Sequence, residues 1–306
     1  MNAINTNSQS SQKTKGDAHQ TACEKGDIYQ TITDKIIAAL ETGTAPWIKP
    51  WASLGAPRNA ITGREYSGIN TVLLAMTDCT SNQWLTFQQA KTAGGNVKKG
   101  EKGTTVVFFK PLTIKEKTDQ QTEDEKVIPL LRTFTVFNTQ QIEGLPEKFT
   151  PPIKPQISAF DENEAAETLL NQAQIQYGMN RACFIPSLDK IHLPNKSEFN
   201  SIPDFYATAL HELTHWTGHK NRLARDFTGR FGDAAYAFEE LIAELGAAFL
   251  CASTGINGQL QHDSYIASWL KVLKNDKKAI FTASAAARKA NEFLTNQEEN
   301  QEQTAA

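Results

Sequence analysis

Four cysteines in 306 residues, with no C-x-x-C pair among them, leave little room for disulfide or cysteine-metal chemistry. Cys23, Cys79, Cys183 and Cys251 stand far apart and are expected to be free thiols in a reducing cytoplasm. Methionine is rarer still, with only Met1, Met76 and Met179. No apolar run approaches the roughly 18 residues that a membrane-spanning helix needs, so no membrane partner is expected. Residues 1–20 are polar and lack the apolar stretch of a signal peptide. Together these absences point to a cytoplasmic protein.

What is present suits two ordinary domains, with 40% hydrophobic residues to supply their cores. The formal charge of −3 hides an asymmetry. Residues 1–150 hold 17 Lys+Arg against 15 Asp+Glu, a balance of +2, and residues 151–306 hold 14 against 19, a balance of −5. Within residues 47–115 nine basic residues face three acidic ones, which suggests an anionic partner for that segment.

The fold class expected is α+β in two domains. Residues 1–22 and 293–306 lack apolar residues enough to order and are expected to be disordered tails. Residues 23–145 form an N-terminal α+β domain, residues 146–160 a proline-rich linker, and residues 161–292 a mainly helical domain. Ile28, Ile32, Ile36 and Leu40 make an apolar stripe on a helix over 27–40. Strands are predicted at 104–110 and 132–137, around a charged insert at 115–126. In the second half, helices are predicted near 162–176, 202–217 and 234–253, with strands at 182–186 and 190–193. His192 is placed on an edge strand.

His211-Glu212-Leu213-Thr214-His215 is an H-E-x-x-H motif inside the helix over 202–217. Residues four apart share one helical face, so both imidazoles can reach a single ion. Glu212 then takes a proton from water activated by that ion, and zinc brings such water to a pKa of about 7. Tyr206, Leu210, Leu213 and Trp216 make the helix largely apolar, where two histidines would be costly without an ion. Zinc is the expected cofactor, with another divalent ion as the alternative.

A third ligand has two sources. The longer pattern H-E-x-x-H-x-x-G-x-x-H has Gly218 in place but Asn221 where its last histidine belongs, and no methionine follows downstream. Acidic residues on the apolar helix over 234–253 are the better source. Glu240 and Glu244 share a face, and the spacing resembles that of gluzincins, with Glu240 as ligand and Glu244 as the carboxylate supporting a histidine; these roles are exchangeable on spacing alone. Glu239 is expected to be a solvated surface charge. His219, Arg222 and Arg225 are candidates for an oxyanion or anionic substrate or for surface salt bridges, and Tyr236, His262 and Tyr265 for transition-state donors.

In the N-terminal half, basic and aromatic residues are interleaved. Trp47, Trp51, Arg58, Arg64, Tyr66, Trp84, Phe87, Lys91, Lys98, Lys99, Lys102, Phe108, Phe109 and Lys110 fall in one short stretch. Of these, Trp47, Arg58, Arg64, Tyr66, Trp84, Lys98, Lys99 and Lys102 are singled out to supply cations for phosphates and rings for exposed bases, the combination that holds single-stranded nucleic acid. Core packing of the rings and solvation of the lysines is the competing reading.

Several motifs carry a family resemblance. Pro46-Trp47, Pro57-x-Asn59, Thr62-Gly63-Arg64-x-Tyr66-Ser67-Gly68-Ile69-Asn70, Trp84-x-Thr86-Phe87-x-Gln89-Ala90 and Gly95-x-Val97-Lys98-Lys99-Gly100-Glu101-Lys102-Gly103 resemble the N-terminal domain of ArdC-type antirestriction proteins. That domain also opens TraC-type plasmid primases. Residues 211–218 and Tyr236-Ala237-x-Glu239-Glu240-Leu241 resemble the zincin-like domain that follows it, so the likeness covers roughly residues 25–290. The resemblance implies a plasmid-encoded protein that binds single-stranded DNA without sequence preference and shields incoming conjugative DNA from host restriction. A host restriction-modification component or another protein is the implied peptidase substrate. Two alternatives remain: a cytoplasmic zinc endopeptidase with no DNA role, and a purely steric DNA-binding protein whose zinc is structural.

Overall fold

A computed structural model describes residues 27–43, 45–47, 55–117, 123–149, 162–226, 233–258 and 263–304, with backbone alone at 110–117, 123–130, 263–264 and 297–304. The architecture is mixed α+β, with a helix-rich C-terminal half. Helix α1 (Ile28–Glu41) starts at Asp27, whose carboxylate accepts the Tyr29 N–H at 3.0 Å, and it buries Ile32, Ile36 and Leu40.

A mixed sheet follows, in the order β1 (Arg58–Asn59), β2 (Gln83–Thr86), β5 (Glu123–Asn138), β4 (Thr104–Lys117). Strand β1 is parallel to β2 and the other pairs are antiparallel. Helix α2 (Ile69–Ala75) packs along β4, where the Asn70 amide exchanges two 2.8 Å bonds with the Val107 backbone. Helix α3 (Phe87–Thr92) carries a capping box from Thr86 and Gln89. A second, two-stranded pairing joins β3 (Asn96–Val97) to β6 (Ile142–Glu143). The expected charged insert at 115–126 is shorter than thought. The ladder continues to Lys117↔Glu123, because its register lets charged residues extend two strands already aligned by Val106, Phe108 and Phe134.

The second half opens with α4 (Glu164–Leu170), capped by Asn163. The helix predicted to reach 176 stops six residues sooner, since β7 (Ile175–Gln176) pairs in parallel with β9 (Lys190–His192). Strand β8 (Cys183–Ile185) completes a sheet ordered β7-β9-β8, so His192 lies on the central strand, not an edge. Helices α5 (Ile202–Thr217), α6 (Ala234–Thr254), α7 (Asp263–Asn275) and α8 (Ala279–Thr304) form the body. The stretch 293–306, expected to be disordered, is helical through Thr304; Leu294 is fully buried and Phe293 packs on the same core cluster, which anchors the helix past residue 292. No described helix is long and apolar enough to cross a membrane. The expected tail 1–22 lies outside the described residues. So does most of the expected linker, of which Glu147–Phe149 form a 3-10 turn with Phe149 buried.

The two halves share one core. Ile32, Ile36, Leu40, Trp47, Ile69 and Val107 from the N-terminal half cluster with Leu241, Leu245, Phe249, Trp269 and Ile280 from the C-terminal half. Trp47 meets Trp269 edge-on, with ring centroids 5.5 Å apart. Polar ties reinforce this: Thr33 Oγ1 donates to Lys277 O at 2.8 Å, and Lys274 pairs with Glu41 at 2.7 Å.

Helix α4 is held to α5 by a charged knot. Lys196 Nζ bridges Glu162 and Glu167 at 2.7 and 2.6 Å, and the hydroxyl of buried Tyr206 donates to Glu167 at 2.6 Å. Partial burial pushes the Glu167 pKa up, but the bonds from Lys196 and Tyr206 outweigh it and leave the carboxyl below its ordinary value.

Two predictions follow from this packing. Trp47→Ala removes a ring from the shared core and should cost about 3–5 kcal/mol, with hydrogen exchange accelerated in α7 as well as α1; exchange confined to the N-terminal half would contradict a common core. Because the folded Glu167 pKa is lowered, its contribution is complete above the unfolded carboxyl value of about 4.3 and is lost as pH falls through the folded value. Glu167→Gln should therefore cost about 1–2 kcal/mol in urea unfolding near neutral pH, with the gap closing in acid; a gap independent of pH would be inconsistent with it.

Candidate metal centre

The site is built where α5 crosses α6. Helix α5 starts at Ser201, whose hydroxyl accepts the Asp204 N–H at 3.2 Å, with Pro203 in the first turn where a missing N–H costs nothing. Helix α6 ends at Gly255, whose φ of 75° closes the helix in the left-handed region. At the crossing, Gly246 lies against Thr214 so closely that a Cβ there would stand 2.4 Å from Thr214 Cγ2. This small residue brings the carboxylates of α6 within reach of the histidines of α5.

His211 and His215 project from one face of α5, with ring centroids 4.8 Å apart. Glu240 stands between them. His211 Nε2 lies 3.5 Å from Glu240 Oε2, and His215 Nε2 lies 3.7 Å from Glu240 Oε1. These distances are long for hydrogen bonds. The first reaches and the second slightly exceeds the separation of about 3.3–3.5 Å between donors that share a tetrahedral ion at about 2.0–2.1 Å. One donor atom from each of the three residues lies within 4.8 Å of the other two, and two imidazoles with one carboxylate suit a divalent ion.

Each imidazole is backed by a carboxylate on its far nitrogen. His211 Nδ1 lies 3.6 Å from Glu244 Oε1, and His215 Nδ1 lies 3.1 Å from Glu239 Oε1. The geometry thus distinguishes Glu240, facing both Nε2 atoms, from Glu244, behind one ring. Glu239 departs from expectation: it is buried, not solvated. The Arg225 guanidinium makes this tolerable, donating to Oε2 at 3.0 Å and Oε1 at 2.8 Å while also binding Thr214 O and Thr217 Oγ1 at the end of α5. Burial opposes protonation of His215, yet its bond to Glu239 and the nearby Glu240 carboxylate outweigh it and push its pKa up to about 10. Burial likewise opposes charge on His211, and the nearby Glu240 and Glu244 raise its pKa. The Glu240 carboxyl is held far below the ordinary range by the two histidines, against the effect of burial.

Glu212 is buried beside the pair, and its Oε2 accepts the Phe184 N–H at 2.7 Å. That donor comes from β8, the outer strand of its sheet, so the strand and the H-E-x-x-H helix are joined at the carboxylate. A cleft of about 920 Å³ opens here, lined by Phe184, Phe199, Glu212, Tyr236, Glu240 and Tyr265 among others. Tyr236 and Tyr265 bring their hydroxyls to 3.4 Å from each other, and burial raises both pKa values. Tyr265 stacks on Trp269 at 6.0 Å.

His219 and Arg222 brace the site from behind. Arg222 lies 3.8 Å over the Trp216 ring, donates to Trp216 O at 2.6 Å and pairs with Asp189 in the β8–β9 turn. His219 meets the Phe184 ring edge-on. Arg222 and Arg225 thus make ion pairs, with Asp189 and Glu239, which is the second of the two roles weighed for them, but at part-buried positions and not on the open surface. His262 lies outside the described residues.

The eight residues singled out for nucleic acid differ in exposure. Trp47, Tyr66 and Trp84 are buried, because their rings fill cores under the sheet and between the halves; none offers a face for stacking. Arg58 pairs with Glu65 at 3.2 Å, and Lys98 Nζ donates to Gln140 O at 2.8 Å. Arg64, Lys99 and Lys102 are exposed. Trp51 lies outside the described residues. Among the described residues of this half the exposed rings are Phe87, Phe109 and Phe134; the first two belong to the basic and aromatic stretch, whereas Phe134 lies beyond it in sequence.

Comparison with known proteins finds two matching family regions. Residues 26–137 match the N-terminal domain of anti-restriction factor ArdC, and residues 164–286 match a zincin-like metallopeptidase domain. The chain is 40% identical over 304 residues to a DNA primase TraC of Escherichia coli, a match covering 92% of this chain and 28% of that protein. The chain thus spans under a third of that relative's length. The crystal structure of the antirestriction ArdC protein from the R388 plasmid, in metal-free form, is 43% identical with a TM-score of 0.75, covering 90% of this chain and 99% of that one. The Mn(II)-bound structure of that R388 protein gives 40% identity and a TM-score of 0.72 over 89% and 98%.

The carboxylates behind the imidazoles generate a prediction. Glu239→Gln should weaken binding of Zn2+ or Mn2+ by about 10- to 100-fold in calorimetric titration, with the fold intact. A Glu239 variant that binds metal as tightly as the parent would show that the carboxylate does not support His215.

Proposed function

Because the chain belongs to the family of ArdC antirestriction proteins, we propose that it is a plasmid antirestriction factor that binds single-stranded DNA and carries a metallopeptidase site. In this reading the N-terminal half holds incoming conjugative DNA in the cytoplasm without sequence preference and shields it from host restriction enzymes. The C-terminal half cleaves a protein, with a component of the host restriction system as the favoured substrate. The observation that carries the peptidase part is the convergence of His211, His215 and Glu240 beside Glu212 at the wall of an open cleft.

His211, His215 and Glu240 would hold the ion, and Glu244 and Glu239 would orient the two imidazoles. A bound divalent ion, zinc or manganese, would supply Lewis acidity at the scissile carbonyl and lower the pKa of water. Glu212 keeps Oε2 on the Phe184 N–H, leaving Oε1 to take a proton from the attacking water and return it to the leaving nitrogen. Tyr236 and Tyr265 are placed to donate a proton bond to a carbonyl oxygen in the cleft.

A steric DNA-binding protein with a structural ion would use the same ligands. Three protein donors at an open cleft favour catalysis over that reading, since structural zinc is normally closed by four protein ligands. A peptidase with no DNA role is disfavoured by the match of residues 26–137 to the ArdC N-terminal domain.

Glu212→Ala should leave metal content unchanged and lower cleavage of a proteome-derived peptide library by about 100-fold or more. Metal-loaded parent protein that cleaves nothing in such a library would defeat the peptidase reading and leave the steric one.

A further inference from the structure

Trp47, Tyr66 and Trp84, the rings singled out for DNA, are buried, so a stacking surface must be sought elsewhere. In an antiparallel ladder, residues directly opposite each other project from the same face. The register of β4 and β5 sets Val106 opposite Phe134 and Phe108 opposite Arg132, which places all four on one face of the sheet. At one end of this group Val106 is fully buried in a cluster with Tyr66, Leu74, Trp84 and Val136, and Phe108 packs against that cluster. At the other end Phe134 is 46% exposed and Arg132 is exposed. The Phe108 and Phe134 rings meet edge to face, with centroids 5.2 Å apart at 85°. An exposed ring is thus backed by a buried core and flanked by a guanidinium.

We propose that Phe134, supported by Phe108 and flanked by Arg132, is the base-stacking platform for single-stranded nucleic acid. This rests on the DNA-binding reading above and assigns it a surface. Three features select that occupant. A ring fixed by its neighbour loses little freedom when a base stacks on it. Arg132 supplies a cation for the adjoining phosphate, or a second flat face. Phe108, which supports the ring, belongs to the basic part of an acidic chain, with nine cationic residues against three anionic ones over 47–115. Phe87 serves as contrast: it is 58% exposed but leans on Phe137 at 6.3 Å, and the register places Phe137 on the opposite face of the sheet from Phe134.

The test is fluorescence anisotropy of the full-length protein with a labelled oligothymidylate, over a range of salt. Phe134→Leu keeps apolar bulk and β propensity but removes the ring. It should bind about tenfold more weakly, with the salt dependence unchanged and with melting temperature and metal content like the parent. Phe134→Tyr should restore binding, and Phe87→Leu should leave it unaltered. Arg132→Gln should flatten the plot of log K against log salt by about 0.7, the value for one lost phosphate contact on a single strand. If the parent binds the oligonucleotide and Phe134→Leu binds it equally well, the platform is wrong and the DNA-binding reading stands. If the parent itself fails to bind, the DNA-binding reading is what falls, and the platform with it.

Discussion

The close crossing of α5 and α6 is the constraint on which the rest depends. Two imidazoles four residues apart follow from any helix, but the third donor must arrive from another element. Gly246 against Thr214 sets the distance at which Glu240 can stand between the rings and Glu244 can reach behind one of them. A methyl group at 246 would separate the helices or displace Thr214, whose hydroxyl bonds Leu210 O within the same turn. The site is therefore a property of helix packing as much as of the H-E-x-x-H motif.

Electrostatics then explains why the neighbourhood is so acidic. Glu212, Glu239, Glu240 and Glu244 are all buried around two imidazoles, an arrangement that needs positive charge. Arg225 supplies one such charge by gripping Glu239 from the end of α5, and a divalent ion between the Nε2 atoms would supply more. The raised pKa values of both histidines describe the same demand met by protons. The Phe184 N–H meets it for Glu212, and so ties the outer strand to the catalytic candidate.

The N-terminal half contributes to this site more than a tethered module would. Trp47 packs on Trp269, Trp269 on Tyr265, and Tyr265 approaches Tyr236 at the cleft wall. A run of aromatic contacts thus connects the core of the first half with the lining of the second. Sequence displayed the parts that depend on local pattern. The stripe on α1 and the span of α5 were legible from apolar spacing. Glu240 was legible because acid on an apolar helix face is costly without a partner. Glu239 was not, since it sits one residue away and its justification is Arg225, fourteen positions earlier and close only in the fold. Trp47, Tyr66 and Trp84 misled for the converse reason: a ring among basic residues has one composition whether it stacks on a base or fills a core. Helix α8 escaped notice because alanine-rich and polar stretches between its apolar positions weaken the periodic signal, whereas Tyr265, Ile266, Trp269, Leu270 and Leu273 of α7 form a stripe that was open to reading.

X-ray absorption spectroscopy of the full-length protein loaded with one equivalent of zinc tests the central claim most directly. The account predicts two imidazole nitrogens and carboxylate oxygen in the ligand shell at about 2.0–2.1 Å, with the two-imidazole signature reduced to one in His215→Ala. A sulfur scatterer, which would bring in Cys183 at the cleft, or a spectrum with a single imidazole in the parent protein, would contradict it.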